Sequence, residues 1–149
     1  MANSDNLKVT VDKFIFRVPR DCRYSNGDVW ARRAGDRVRV GLTDYLQQKS
    51  GDIAFVQVKA VGTAVAGEEE LAAVETIKVD LIVPSPFAAT IVAVNEVLTG
   101  QPELVNSDPY GEGWLAEIEP LDWADFDALL DAESYLPQMQ ARAELEREQ

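Results

Sequence analysis

Val74-Glu75-Thr76-Ile77-Lys78-Val79-Asp80 sets one lysine in a polar tip between two short apolar runs, residues 72–74 and 81–83. β-Prone residues on either side of a polar interruption read as two strands joined by a short turn that presents Lys78 to solvent. A lone lysine at such a tip is an attachable primary amine, in the geometry a carrier protein needs. The same pattern also fits a solvated charge that guards a strand edge. Context separates the two.

Working outward, short β-prone segments follow one another at residues 9–16, 29–31, 37–41, 53–58, 71–74, 81–83 and 91–94, with 115–118 later. Gly27, Gly35, Gly51, Gly62, Gly67 and Gly111 fall between or beside them, where turns need a permissive backbone, and Pro84 and Pro86 break the region after Lys78. The domain is therefore mainly β. Two helices interrupt it. Thr43 or Asp44 can cap a short helix through Ser50 that Gly51 ends, and Asp122 can cap another over residues 123–130. On the second helix Trp123, Phe126, Leu129 and Leu130 share a face that reads as core packing. Residues 37–44 and 90–97 echo each other as a strand followed by a helix-like turn, which favours two packed sheets over a meander. The polar end after Pro137 reads as a solvated helix or a frayed terminus.

The chain has 149 residues, 46% of them hydrophobic, enough for one self-sufficient core. We divide it into an N-terminal extension (1–17) that can pack as a strand, one domain (18–135) and an acidic C-terminal tail or helix (136–149). Fourteen basic residues face 26 acidic ones, a net charge of −12 that repels phosphate backbones and anionic lipid surfaces. Neither nucleic acid nor a membrane is an expected partner. No apolar leader precedes the first strand and no run reaches transmembrane length. With Cys22 as the lone cysteine, no internal disulfide can form, which suits a reducing, cytoplasmic setting. Histidine is absent, which removes the usual general base, the Ser-His and Cys-His pairings and the commonest metal ligand. Glu68-Glu69-Glu70 lacks the alternating ligand spacing of a calcium loop, and no glycine-rich phosphate loop occurs. We expect no catalytic residues and no metal.

Several separated blocks resemble one family, the lipoyl carrier H protein of glycine cleavage. They are Val18-Pro19-Arg20-Asp21-Cys22-Arg23-Tyr24-Ser25, Val40-Gly41-Leu42-Thr43-Asp44-Tyr45, Gly51-Asp52-Ile53-Ala54-Phe55-Val56, Val74-Glu75-Thr76-Ile77-Lys78, Ile91-Val92-Ala93-Val94-Asn95, and the long run from Pro102 through Asn106-Ser107-Asp108-Pro109-Tyr110 to Trp114. The resemblance implies a barrel-sandwich hybrid fold with a short internal helix and C-terminal helices. It also implies lipoate attached covalently to Lys78 by a lipoate ligase or lipoyl transferase. The chain is then a swinging-arm carrier and not an enzyme, since the dithiolane supplies the redox and thiol chemistry the polypeptide lacks. Glu75, Thr76, Ile77, Val79 and Asp80 become candidate recognition residues. Glu75 and Asp80 read equally as solvation of the turn. The 106–114 block reads either as a loop packed by Tyr110 and Trp114 or as part of a docking surface.

The departures from the family pattern lie around the arm. Gly27-Asp28-Val29-Trp30 stands where a histidine and a glutamate usually precede the tryptophan, and Val79-Asp80-Leu81-Ile82-Val83-Pro84 replaces small residues followed by aspartate and tyrosine. These changes make the surface beside the arm more apolar than an aminomethyl cargo needs. On that ground the chain is similar to the divergent lipoate-binding proteins of bacterial sulfur oxidation, whose partners form a heterodisulfide-reductase-like complex. The alternatives are an H protein carrying the aminomethyl group to glycine cleavage enzymes, and an unmodified protein-interaction module.

Overall fold

The structure is a computed structural model in which residues 6–147 are described. It begins with two paired strands where the sequence suggested one. β1 (Asn6–Val11) and β2 (Phe14–Pro19) run antiparallel with Val11 opposite Phe14, and the chain reverses at Asp12-Lys13. Asp12 takes a φ of 59°, a left-handed conformation that aspartate tolerates better than most residues. The charged Asp12 and Lys13 that interrupt the apolar pattern are thus a hairpin turn.

β3 (Arg23–Tyr24), β4 (Val29–Ala34) and β5 (Arg37–Leu42) follow, then α1 (Asp44–Ser50). The N-cap of α1 is Thr43, whose hydroxyl accepts from the Leu46 amide, and Gly51 ends the helix at a φ of 89°. Next come β6 (Ile53–Val58), β7 (Ala64–Val65), β8 (Glu70–Thr76), β9 (Asp80–Pro84) and β10 (Ala89–Val94). A 3₁₀ turn at Glu96–Thr99, α2 (Leu104–Ser107), β11 (Ala116–Pro120), α3 (Trp123–Asp127) and α4 (Ala132–Arg147) complete the chain.

Pairing is antiparallel throughout. One sheet has the order β3-β4-β5-β11-β10-β7 and a second has the order β6-β8-β9. The mainly β architecture with an internal helix and C-terminal helices is as expected, but the sheets remain separate and do not close into a barrel. The echo between residues 37–44 and 90–97 is real at the level of elements: β5 leads into α1 and β10 into the 3₁₀ turn. Both strands flank β11 in the same sheet, however, so the echo does not mark two sheets.

Alternation along β4 shows how the six-stranded sheet separates two apolar cores. Val29 and Ala31 face the core shared with Leu71, Val74, Ile91 and Ile118, whereas Trp30 faces a second core with Tyr24, Phe16, Tyr45, Tyr135 and Met139. Trp30 is fully buried and donates its indole N–H to the Pro109 carbonyl at 2.9 Å. Gly41 is its cross-strand partner, and a Cβ there would lie 2.8 Å from the indole. Truncating Trp30 would cost about 3–5 kcal/mol.

Two helical expectations need correction. α3 stops at Asp127, because Leu130 exchanges two backbone hydrogen bonds with Tyr24 (2.8 and 3.0 Å) and joins the second core. Trp123, Phe126 and Leu129 stay with the first. At the C-terminus, α4 passes through Pro137 without ending. Ala132, Tyr135, Met139 and Ala143 form one buried stripe, while Pro137 is on the exposed side where water can satisfy the carbonyl it leaves free. This packing outweighs the roughly 3 kcal/mol that proline costs inside a helix. Residues 138–147 thus continue a packed helix and do not form a frayed end.

Candidate functional site

The β8–β9 hairpin carries Lys78 at its tip. Val74 pairs with Leu81 and Glu75 with Asp80, leaving residues 76–79 to make the turn. Thr76 organises it: its amide donates to the Val79 carbonyl at 2.9 Å, and its hydroxyl donates to the same carbonyl at 2.8 Å. That hydroxyl also accepts from the amides of Lys78 (3.1 Å) and Val79 (2.9 Å). A threonine suits both the strand end and the turn because its oxygen satisfies amides that the ladder no longer reaches. Outside the hairpin, the Ile77 amide donates to the Asp52 carbonyl at 3.3 Å, tying the tip to the start of β6.

Lys78 is exposed, and no ion pair involves it among the described residues. Its Nζ donates to the Lys49 carbonyl at 3.3 Å, at the C-terminal end of α1 where orphan carbonyls favour a cation. The aliphatic stem lies against Gly51, where a Cβ would approach Lys78 Cε to 2.9 Å. Such an amine is accessible and weakly held, which fits an acylation site. Glu75 and Asp80 are exposed and directly opposed, a like-charged pair that faces solvent and leaves Lys78 unpaired. Ile77 and Val79 flank the lysine at 74% and 47% exposure, and Ile82 on β9 is 61% exposed.

Gly51 and Asn106 were not singled out by sequence patterns as parts of this site. Asn106 accepts from the Ile53 amide (2.9 Å) and donates to the Gln47 side chain and the Gly51 carbonyl (both 3.0 Å), so it locks the α1–β6 junction beneath Lys78. Asn106 belongs to the long 102–114 block. Only the folded contacts reveal what it holds. In the same block the Tyr110 hydroxyl accepts from the Asp44 amide and donates to the Arg17 carbonyl, and the Arg39 guanidinium lies 4.3 Å from the centroid of the Trp114 ring. These contacts favour the packing reading of that loop.

Cys22 lies in the second core at 2% exposure, and burial pushes its thiol up to about 12. Among the described residues no cluster of three or more His, Cys, Asp or Glu could hold a metal ion, and no helix is long and apolar enough to cross a membrane.

Three antiparallel sheets that present one exposed lysine at a hairpin tip, braced from below by a helix end, place the chain among mainly β domains with a presented amine. The chain belongs to the glycine cleavage H-protein family, whose model matches residues 22–142. It is 44% identical over 126 residues to a glycine cleavage system H protein of Thermus thermophilus, covering 85% of this chain and 98% of that one. To the H protein of Geobacillus thermodenitrificans it is 44% identical, covering 78% and 92%. The crystal structure of a glycine cleavage system H protein from Mycobacterium marinum superposes with a TM-score of 0.74 at 33% identity, covering 81% of this chain and 98% of that one. Members of the family carry lipoate covalently on a lysine.

Proposed function

We propose that this chain is a lipoyl carrier modified on Lys78, and that it carries the aminomethyl group between enzymes of glycine cleavage. The observation behind this reading is the tip itself, where an exposed primary amine with no ionic partner among the described residues stands on a turn braced by Thr76 and Asp52. When attached, lipoate supplies the disulfide and dithiol chemistry. The protein's own residues do the rest: Thr76 fixes the turn, Gly51 makes room for the lysine stem, and Asn106 holds the floor. Glu75, Thr76, Ile77, Val79 and Asp80 form the surface that a lipoate ligase or lipoyl transferase reads.

The relatives bear the name of the glycine cleavage H protein, which favours the aminomethyl cargo over the sulfur cargo suggested by the departures around the arm. A sulfur-carrying role retains one supporting observation. Ile77, Val79 and Ile82 are exposed apolar side chains on the hairpin that bears the lysine, and together they suit a less polar cargo, whereas the exposed carboxylates of Glu75 and Asp80 on the same hairpin suit an amine. A sulfur-carrying role would pair the chain with heterodisulfide-reductase-like proteins.

The test begins with intact mass and peptide mapping of protein from its native cell, where one lipoyl increment on Lys78 is expected. Incubating that protein with glycine and glycine decarboxylase then discriminates the cargo. Reductive aminomethylation at a rate comparable to that of a relative's H protein supports glycine cleavage, and its absence from a fully lipoylated sample sinks that assignment. A chain that stays unmodified in a lipoate-replete cell returns the interaction-module reading.

A further inference from the structure

The β3–β4 hairpin turns through Ser25-Asn26-Gly27-Asp28, and Asn26 is the one asparagine of the chain that a glycine follows. The Ser25 amide donates to the Val29 carbonyl at 3.0 Å and the Asp28 amide to the Ser25 carbonyl at 3.2 Å, so Asn26 and Gly27 stand out from the ladder. The Ser25 hydroxyl accepts from both the Gly27 and the Val29 amides at 3.2 Å, the long end of the usual range, and holds Gly27 loosely. Asn26 is exposed, and its carboxamide makes no hydrogen bond among the described residues. Two other asparagines are tied down. Asn95 donates to the Glu112 and Trp114 carbonyls, both at 2.8 Å, and Asn106 makes the three bonds that lock the α1–β6 junction.

We propose that Asn26-Gly27 is a self-modifying site, where the carboxamide is lost as ammonia and the aspartyl or isoaspartyl product releases α4 from its polar anchor. The Gly27 amide nitrogen, on giving up its proton, attacks Asn26 Cγ. The new C–N bond closes a cyclic imide, the Cγ–Nδ2 bond breaks, and the departing nitrogen takes up the proton and leaves as ammonia. Water then opens the imide at either carbonyl. Breaking the Cγ–N bond gives aspartate, and breaking the main-chain bond gives isoaspartate. No oxidant or cofactor enters. Glycine permits the attack because no Cβ crowds its nitrogen and its backbone turns freely.

Packing keeps the reactive pair in place. A Cβ at Gly27 would lie 2.9 Å from Cγ of Pro84, the last residue of β9, so the turn sits against the lysine-bearing hairpin only with glycine there. The consequence falls on the next residue. Asp28, at a φ of 64°, buries its carboxylate against α4, where it accepts from Arg142 and from the Tyr135 hydroxyl, while its carbonyl accepts from the Thr43 amide at 3.1 Å. An isoaspartyl link lengthens the main chain by a methylene just before this anchor, and either product sets another carboxylate close to it. The turn closed between Ser25 and Val29 then no longer aims Asp28 at Arg142. Deamidation is thus a slow, one-way release of the C-terminal helix, and it does not depend on the state of Lys78.

Full-length protein held in mildly alkaline buffer would be sampled over days and mapped by peptide fragmentation that separates aspartyl from isoaspartyl residues. An isoaspartyl methyltransferase supplies an independent label. Asn26 should convert several-fold faster than Asn106, and the label at this turn should vanish in Asn26→Ser. The converted fraction, isolated by ion exchange, should show several-fold faster hydrogen exchange at the amides of Tyr135, Met139 and Ala143 than fresh protein. Asn26→Ser carried through the same incubation should keep the fresh rates. Conversion of Asn26 no faster than that of Asn106 would overturn the site. Conversion that leaves exchange in α4 unchanged would overturn the release of the helix.

Discussion

Asp28 and Arg142 meet as a two-point ion pair, at 2.7 and 2.9 Å, across 114 residues of chain. Asp28 is buried in the loop before β4 and also accepts the Tyr135 hydroxyl at 2.7 Å; Arg142 belongs to the exposed-to-buried boundary of α4. The pair fastens the C-terminal helix to the six-stranded sheet. Asp28→Asn should lower stability by about 2–3 kcal/mol, less than the full cost of breaking a buried pair because Arg142 can turn to water. Chemical denaturation measures this, and an unchanged midpoint would show that α4 is held by its apolar stripe alone.

Lys78→Arg should leave the melting temperature within a degree or two of wild type, since Lys78 is exposed and makes one weak contact to the Lys49 carbonyl. Lipoyl mass should disappear completely, because a guanidinium keeps the charge but does not accept the acyl group under these conditions. Retained carrier activity in this variant would refute modification at Lys78.

Thr76→Val removes a hydroxyl that serves the Lys78 and Val79 amides and the Val79 carbonyl. The exposed turn should lose about 0.5–1.5 kcal/mol of local stability, seen as faster hydrogen exchange at those two amides with little change in global unfolding. Ligase-catalysed lipoylation should slow several-fold. Wild-type exchange rates at the tip would show that the hydroxyl does not order it.

Cys22 should resist iodoacetamide in the native protein at neutral pH, because a thiol raised to about 12 and 2% exposed offers almost no thiolate. In denaturant it should react fully. Native-state alkylation on the timescale of a free thiol would mean that the second core opens readily around β1 and β2.

Glu117 predicts how acid acts on the large sheet. Burial tends to raise its carboxyl, but hydrogen bonds from Arg37 and Arg39 more than offset this, so it titrates below its ordinary value. A depressed folded-state value means that the unfolded chain binds the proton more readily. The contribution is therefore complete above the ordinary carboxylate range and is lost as pH falls through the folded value. Melting temperature should decline more steeply below about pH 4 in wild type than in Glu117→Gln. Parallel curves for the two proteins would remove Glu117 from the account.

The hairpin at Lys78, the caps at Thr43 and Asp122 and the mainly β class were all legible along the chain, because each depends on neighbours a few residues apart: strand propensity, a polar turn, an oxygen before a helix. The carrier motif was legible for the same reason. What joined distant segments was not. Asn106 beneath Lys78, Asp28 against Arg142 and the capture of Leu130 by Tyr24 each need two stretches brought together by packing, and no local pattern records the partner. The same holds for α4, where Pro137 signals a break and the burial of Tyr135, Met139 and Ala143 overrides it. Local propensity is worth tenths of a kcal/mol for an ordinary residue and roughly 3 for Pro137, whereas each large side chain buried is worth about 1.5–3, so several buried together outweigh either and the tertiary contacts prevailed.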